Sequence, residues 1–295
     1  MDFVVQMKTL PRPGETVRGW SFQMLPGGKG ANQACAVGRL GGRGRMIGRV
    51  GEDVFGERLK SSLEASGVDT LMVKKTAGES TGVALIFVQE GGQNVIVVAA
   101  GSNGLFKSDD VAAAGGSFDT GGYLLLQLES PQETVEAASA LARSRGMTVI
   151  LDPAPARPLG AALLANVDII TPNESEALLL LDLPPGNVSL EDAPGLAARL
   201  RKLGPKCVIL KMGEKGAWLS DGTSDGHFPT FKVQAVDATA AGDTFNGALA
   251  VALAEGKTMA DAIRFANCAA AISVTRLGAQ TSVPTRAEVD GKLKS

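Results

Sequence analysis

Apolar residues follow two periods along this chain. Residues 3–7 form a short apolar run closed by Leu10-Pro-Arg-Pro-Gly14, and residues 16–25 alternate roughly, as a half-exposed strand does. Two runs rich in Val and Ile, 82–89 and 94–100, are joined by Glu90-Gly-Gly-Gln93, a glycine-bearing hairpin. None of the four carries a helical pattern, so together they predict a small appended sheet. Residues 31–40 and 56–66 read as helices and 45–50 as a short strand. From 123 onward strand and helix alternate: 123–128, 134–145, 148–151, 167–171, 174–181, 190–203 and 207–212. That alternation predicts a parallel sheet with helices on both faces. Residues 244–255 and 267–275 follow as helices of small residues, and no internal repeat or low-complexity linker interrupts the chain.

Polar residues gather just after the strands: Gln127 and Glu129, Asp152, Asn173 and Glu176, Lys211. Ligands of open α/β sheets bind outside these carboxyl ends, so the gathering marks a candidate site.

The length of 295 residues suits one large α/β domain with a small appendage, spanning 1–295, with lid strands from about 2–26 and 81–100. Hydrophobic content of 44% and charged content of 20% provide a sizeable core and argue against disorder. A formal net charge of −2 offers no basic field for nucleic acid. Cys35, Cys207 and Cys268 are odd in number, lack metal spacing and read as buried thiols of a reducing compartment. His227 is the single histidine, which excludes multi-His metal sites, and Ser-Asp-Gly-His-Phe-Pro reads as a turn. No apolar run spans a bilayer and no signal peptide is visible, so the expected location is the cytoplasm.

Candidate chemistry concentrates in Ala235-Val-Asp-Ala-Thr-Ala-Ala-Gly-Asp-Thr-Phe-Asn-Gly247, a loop running directly into a helix. A helix start leaves N–H groups unpaired at its positive end, and small residues let an anion reach them. Asp243 stands at that point. Capping would explain it on residue type alone. Type and position alone favour that cap; the alternative use of a carboxylate beside a phosphate pocket is taking the proton of a hydroxyl that attacks phosphorus. Pro26-Gly-Gly-Lys-Gly-Ala-Asn32 is a second glycine turn before a helix. It is not a Walker A loop, because Gly30 follows Lys29 where Ser or Thr is required.

Asp237 with Ala240-Ala-Gly-Asp243 resembles the C-terminal signature of the PfkB carbohydrate kinase family, and 26–41 resembles its N-terminal signature. Gly78-Glu-Ser-Thr-Gly82, Gln127-Leu-Glu-Ser-Pro131, Asp152-Pro-Ala-Pro-Ala-Arg157, Thr171-Pro-Asn-Glu-Ser-Glu176 and 264–284 are similar to the ribokinase branch of that family. The resemblance implies a ribokinase-like three-layer α/β sandwich, with a mostly parallel central sheet and a small β-sheet lid. It implies transfer of the ATP γ-phosphate to the 5-hydroxyl of D-ribose, with Mg²⁺ accompanying ATP, K⁺ as a monovalent activator, and a homodimer joined through the lid. Asp243 is then the base, and Ala240, Ala241 and Gly242 form the anion hole. Asp2, Gly27, Gly28, Lys29, Asn32 and Glu129 meet the sugar. Asn173, Lys211, Gly213, Gly242 and Asn267 hold ATP, and Glu176 orders Mg²⁺ through water. Asp237, Thr239, Ser273, Arg276, Gly278 and Ser282 hold K⁺. Rival readings are a kinase for deoxyribose, fructose or adenosine, and a sugar-binding protein that has lost catalysis.

The sequence departs from the family at three places. Ala238 stands where Thr is usual, and Lys211 replaces a frequent Thr. Asp2 aligns with the sugar-binding Asp, but the family's first core strand before it is missing, and the expectation is a start assigned too far downstream.

Overall fold

The computed structural model describes residues 1–91 and 93–294, so Gly92 of the expected hairpin and Ser295 lie outside the described residues. In order, the elements are β1 (Asp2–Met7), β2 (Gly19–Leu25), α1 (Lys29–Arg39), β3 (Arg45–Gly51), α2 (Val54–Ala65), β4 (Asp69–Thr76), β5 (Val83–Gln89), β6 (Asn94–Ala99), α3 (Ser108–Ala113), β7 (Tyr123–Leu126) and α4 (Gln132–Ser144). There follow β8 (Thr148–Leu151), α5 (Ala161–Leu164), β9 (Ile169–Ile170), α6 (Glu174–Leu180), α7 (Ala193–Arg201), β10 (Cys207–Lys211), β11 (Ala217–Ser220), β12 (Gly226–Phe228), α8 (Ala241–Ala254), α9 (Met259–Ser273) and α10 (Arg286–Lys294).

The main sheet has six strands in the order β12-β11-β10-β9-β8-β7. β7 to β10 are parallel, and β11 and β12 add antiparallel at one edge. Side chains alternate across it as the pleat requires. Val149, Leu151, Ile170, Val208 and Leu210 pack with α4 and α7 on one face. Ile150, Ile169, Cys207 and Ile209 pack with α8 and α9 on the other, which makes three layers. α8 is buried at every position from Asp243 to Ala252, so it is the central helix of its layer, not a surface one.

The lid is a separate four-stranded sheet, β2-β1-β5-β6, with β1 and β5 parallel and both outer pairs antiparallel. β3 and β4 pair with each other in parallel and join neither sheet. Between β3 and β7 runs a cavity of about 710 Å³, lined by residues 45–50 of β3, 123–126 of β7, Val251 of α8 and Met1.

Some expected boundaries move. The helix expected from 244 begins at Ala241, which brings Asp243 into its first turn. The helix expected from 267 begins at Met259, because the Thr258 hydroxyl caps it by accepting from the Asp261 N–H. His227 lies on β12, not in a turn; it is exposed, and its ring Nε2 sits 2.6 Å from the Lys215 carbonyl oxygen. β4 was not expected: lysines at 74 and 75 break its apolar alternation.

Candidate active site

The carboxyl ends of β7, β8, β9 and β10 and the starts of α1, α6 and α8 converge at one place. Ala240 opens α8 in the left-handed conformation, φ 57°, a strained choice for a residue with a Cβ. Its carbonyl accepts from Thr244, and Ala241 donates to Ala238. Among the described residues the N–H groups of Gly242 and Asp243 have no protein acceptor, so they remain for an anion.

The Asp243 side chain is 4% exposed. Its Oδ2 accepts from Asn32 Nδ2 at 3.0 Å and its Oδ1 from Gln33 Nε2 at 3.1 Å. Both donors come from α1, which approaches α8 closely because Gly247 has no side chain. A Cβ there would lie 2.5 Å from Ala36 Cβ and 2.8 Å from the Gln33 carbonyl oxygen. Burial pushes the Asp243 carboxyl up to about 6; the Lys29 ammonium opposes the rise, Asp152 adds to it, and the two amides oppose it. A carboxylate near 6 is placed for general-base work at neutral pH.

On one side of Asp243 lies a cavity of about 640 Å³ lined by Lys29, Asp152, Asn173, Glu176, Lys211, Gly213, Ala240, Ala241 and Gly242, among others. Asn173 caps α6: its Oδ1 accepts from the Glu176 N–H, while Glu176 Oε2 accepts from the Asn173 N–H at 2.7 Å. Burial raises the Glu176 carboxyl, and nearby Lys211 opposes that rise. Lys211 Nζ donates to Asp152 Oδ1 at 2.8 Å, and a Cβ on Gly242 would come within 3.2 Å of it. Lys211 therefore stands over the start of α8.

On the other side, Gly27 and Gly28 turn the chain into α1. Gly28 has φ 94°, and a Cβ on Gly27 would fall 2.0 Å from Asp2 Oδ2. Glu129 Oε2 accepts from the Lys29 N–H at 2.8 Å, which joins the end of β7 to this turn. Burial raises the Asp2 carboxyl; the Met1 ammonium opposes this and Glu129 reinforces it. Burial works against the Lys29 ammonium, but Asp243, Asp152, Glu129 and Glu176 surround it and the net shift is upward. The Oδ1 of Asn32 is buried without a partner, which suits a hydroxyl donor of a small polyol.

Asp237 Oδ2 accepts from the Gly278 N–H at 2.9 Å and its Oδ1 from the Thr239 hydroxyl at 2.6 Å, tying the 237–239 loop to the loop after α9. Ser273 and Ser282 turn their hydroxyls onto the Ala270 and Ala279 carbonyls, and the Arg276 guanidinium pairs with Glu288. A monovalent cation there would meet backbone oxygens. For a divalent ion, no cluster of three or more His, Cys, Asp or Glu occurs among the described residues. The carboxylates of Glu174, Glu176 and Asp152 offer only oxygen, which fits an ion held chiefly by phosphates and water.

Asn267 is not among the residues lining the cavity; its amide donates to the Phe228 and Pro229 carbonyls. Sequence reasoning gave Gln33 no role and left Asp152 and Gln127 as strand-end polar residues. Gln33 is next to Asn32 on a helix and reads as an ordinary helical amide until α8 is folded against it. No helix of the described chain is long and apolar enough to cross a membrane.

The family model of the pfkB family carbohydrate kinases matches residues 1–286. The ribokinase of Bacillus subtilis is 41% identical over 295 residues, covering 98% of this chain and 95% of that protein. A deoxyribokinase of Salmonella typhi is 36% identical over 287 residues, covering 97% and 93%. The structure of Arabidopsis thaliana ribokinase complexed with ribose and ATP superposes with a TM-score of 0.90 at 34% identity, covering 100% of this chain and 96% of that one.

Proposed function

The chain belongs to the pfkB family of carbohydrate kinases, and on that premise we propose that it is a ribokinase, moving the γ-phosphate of ATP to the 5-hydroxyl of D-ribose. Asp243 takes the hydroxyl proton as the sugar oxygen bonds to phosphorus, and the bond from phosphorus to the ADP oxygen breaks. The N–H groups at Gly242 and Asp243, with Ala240 and Ala241 shaping the turn, meet the charge that gathers on the transferring phosphoryl group. Lys29 lines the cavity beside Asp243. Asp2, Gly27, Gly28, Asn32 and Glu129 hold the sugar. Asn173, Lys211, Gly213 and Gly242 hold the nucleotide, and Asn267 supports its adenine side from beneath, through the chain after β12. Glu176 would hold, through water, the Mg²⁺ that accompanies ATP, and that ion would supply neutralisation of phosphate charge. K⁺ is assigned to the paired loops carrying Asp237, Thr239, Ser273, Arg276, Gly278 and Ser282. The lid leaves Trp20, Phe22, Ile96 and Val98 more than half exposed, which supports a homodimer joined through it. The reaction is assigned to the cytoplasm.

The observation that carries the reading is the buried Asp243 carboxylate beside two N–H groups without acceptors among the described residues, at the edge of a cavity of about 640 Å³. ADP release is to be measured over ribose, deoxyribose, fructose and adenosine, for the wild type and for Asp243→Asn. The expected result is the highest kcat/KM for ribose and a fall of about 10²–10⁴-fold in kcat for the variant, with ribose still bound. Preference for another sugar would move the assignment to that kinase. Absence of turnover with every sugar would leave a sugar-binding protein.

A further inference from the structure

Asp152, so far only one of the carboxylates lining the nucleotide-side cavity, is 2% exposed and touches both halves of the centre. Its Oδ1 accepts from Lys211 Nζ at 2.8 Å and its Oδ2 from Gln33 Nε2 at 3.1 Å. The same Gln33 amide gives its other hydrogen to Asp243 Oδ1 at 3.1 Å. The Gln33 carbonyl is taken by the Gln127 amide at 2.5 Å, so turning Gln33 over would set nitrogen against nitrogen and oxygen against two carboxylates. Every donor and acceptor from Lys211 to Asp243 therefore has one orientation. Lys211 spends one of its three N–H bonds on Asp152, and its ammonium stands at the first turn of α8.

We propose that Asp152 is a positioning residue for phosphoryl transfer: it fixes Lys211 as a cation over the transferring group and, through Gln33, fixes the base, so that cation and base are set as one unit. This rests on the kinase reading. As the sugar oxygen bonds to phosphorus and the bond to ADP breaks, charge spreads over the phosphoryl oxygens and Lys211 offsets it, while the hydroxyl proton goes to Asp243. The charged groups around Asp243 are Lys29 from α1 and Asp152 after β8, with Lys211 of β10 and Glu176 of α6 in the same cavity. Asp152 is the neighbouring anion that works against ionisation of Asp243. Removing its charge should move the acid limb of the rate profile to lower pH.

The test compares wild type, Lys211→Met, Lys211→Arg, Asp152→Asn, the Asp152→Asn/Lys211→Met pair and Gln33→Met. For each, kcat, KM for ATP, the pH profile, the melting temperature and calorimetric ribose affinity are measured. Lys211→Met is expected to lower kcat about 10²-fold at unchanged ribose affinity, with partial recovery in Lys211→Arg. Asp152→Asn should lower kcat and shift the acid limb downward. The double variant should lose less than the product of the two single losses, because part of the Asp152 effect runs through Lys211. Gln33→Met, which removes the link together with the direct hydrogen bond to Asp243, should lower kcat about tenfold at unchanged KM for ATP. Should Asp152→Asn fail to fold, the Gln33 and Lys211 variants still decide. Wild-type kcat in Gln33→Met or Lys211→Met, multiplicative losses in the pair, or an unmoved acid limb in a folded Asp152→Asn would each overturn the proposal. A wild type inactive on every sugar sinks the kinase reading instead, so the two failures are distinguishable.

Discussion

As the proposed base, Asp243 has a buried environment that sets a pH dependence. Burial lifts its carboxyl to about 6, above the unfolded value of 3.8. Catalysis needs the ionised form, so turnover should be full above about pH 7 and fall as pH drops through about 6. The same raised value has the opposite sign for stability: ionisation is penalised in the folded state, so this group's contribution is lost as pH rises from 3.8 through about 6. Measured kcat against pH, beside a chemical titration of folding, checks both. An acid limb near 4 would mean that Asp243 is solvated during turnover. In the sequence, residue type and position alone suit a helix cap, and it is the resemblance of Asp237 with Ala240-Ala-Gly-Asp243 to a family signature that singles this residue out. Its two amide partners were legible only in part. Asn32 lay in a recognisable turn, whereas Gln33 acquires its role from a helix more than 200 residues away.

At the scale of elements, the site depends on α1 and α8 touching at Gly247. Replacing it with Ala would put a methyl 2.5 Å from Ala36 Cβ and 2.8 Å from the Gln33 carbonyl, so the helices must part. Overpacking of this kind typically costs about 1–3 kcal/mol. Gly247→Ala is expected to lower the melting temperature and also to lower kcat beyond the loss of folded protein, because Asn32 and Gln33 move off the base. Normal kcat per folded molecule would show the contact to be structural only. The loops carrying Asp237 and Gly278 make the second element-scale expectation. They brace the turn before α8, so an ion bound between them should order the unpaired N–H groups. Rates in potassium should exceed those in sodium, and equal rates with potassium rigorously removed would remove the assignment. The strand-helix alternation after residue 123 was readable because buried parallel strands are nearly continuous apolar runs. β12, three residues at the sheet edge, gave too weak a period to be found, and so did β11, where only Trp218 and Leu219 are large and apolar.

The whole molecule shows one break in its layering: the slot between β3 and β7. The four residues of β7 are all half-buried, whereas three of four in its neighbour β8 are buried. Met1 lines this slot, its ammonium donating to the Gly82 carbonyl at 2.8 Å. A strand leading into Met1 would run parallel to β3 and β7, pair with both edges and bury apolar side chains on both faces. Six or so Val and Ile residues bring about 2 kcal/mol each, against about 1.5 kcal/mol per residue of ordering entropy, so with the added ladder a net gain of a few kcal/mol is expected. At roughly 2–4 °C per kcal/mol for a chain of this class, the melting temperature should rise by about 5–10 °C. The extension also converts the terminal ammonium to a neutral amide. Burial holds that ammonium below its ordinary value of 8.0, so its proton is bound more tightly in the unfolded chain, and the stability of the 295-residue form should rise with pH up to about 8. An extended form should lose that slope and, with Asp2 anchored from both sides, bind ribose more tightly. The two forms are to be compared by melting at pH 6 and pH 9 and by ribose calorimetry. Equal melting temperatures and equal affinity would show that the slot needs no strand and that Asp2 is held well enough by Gly27 and the lid.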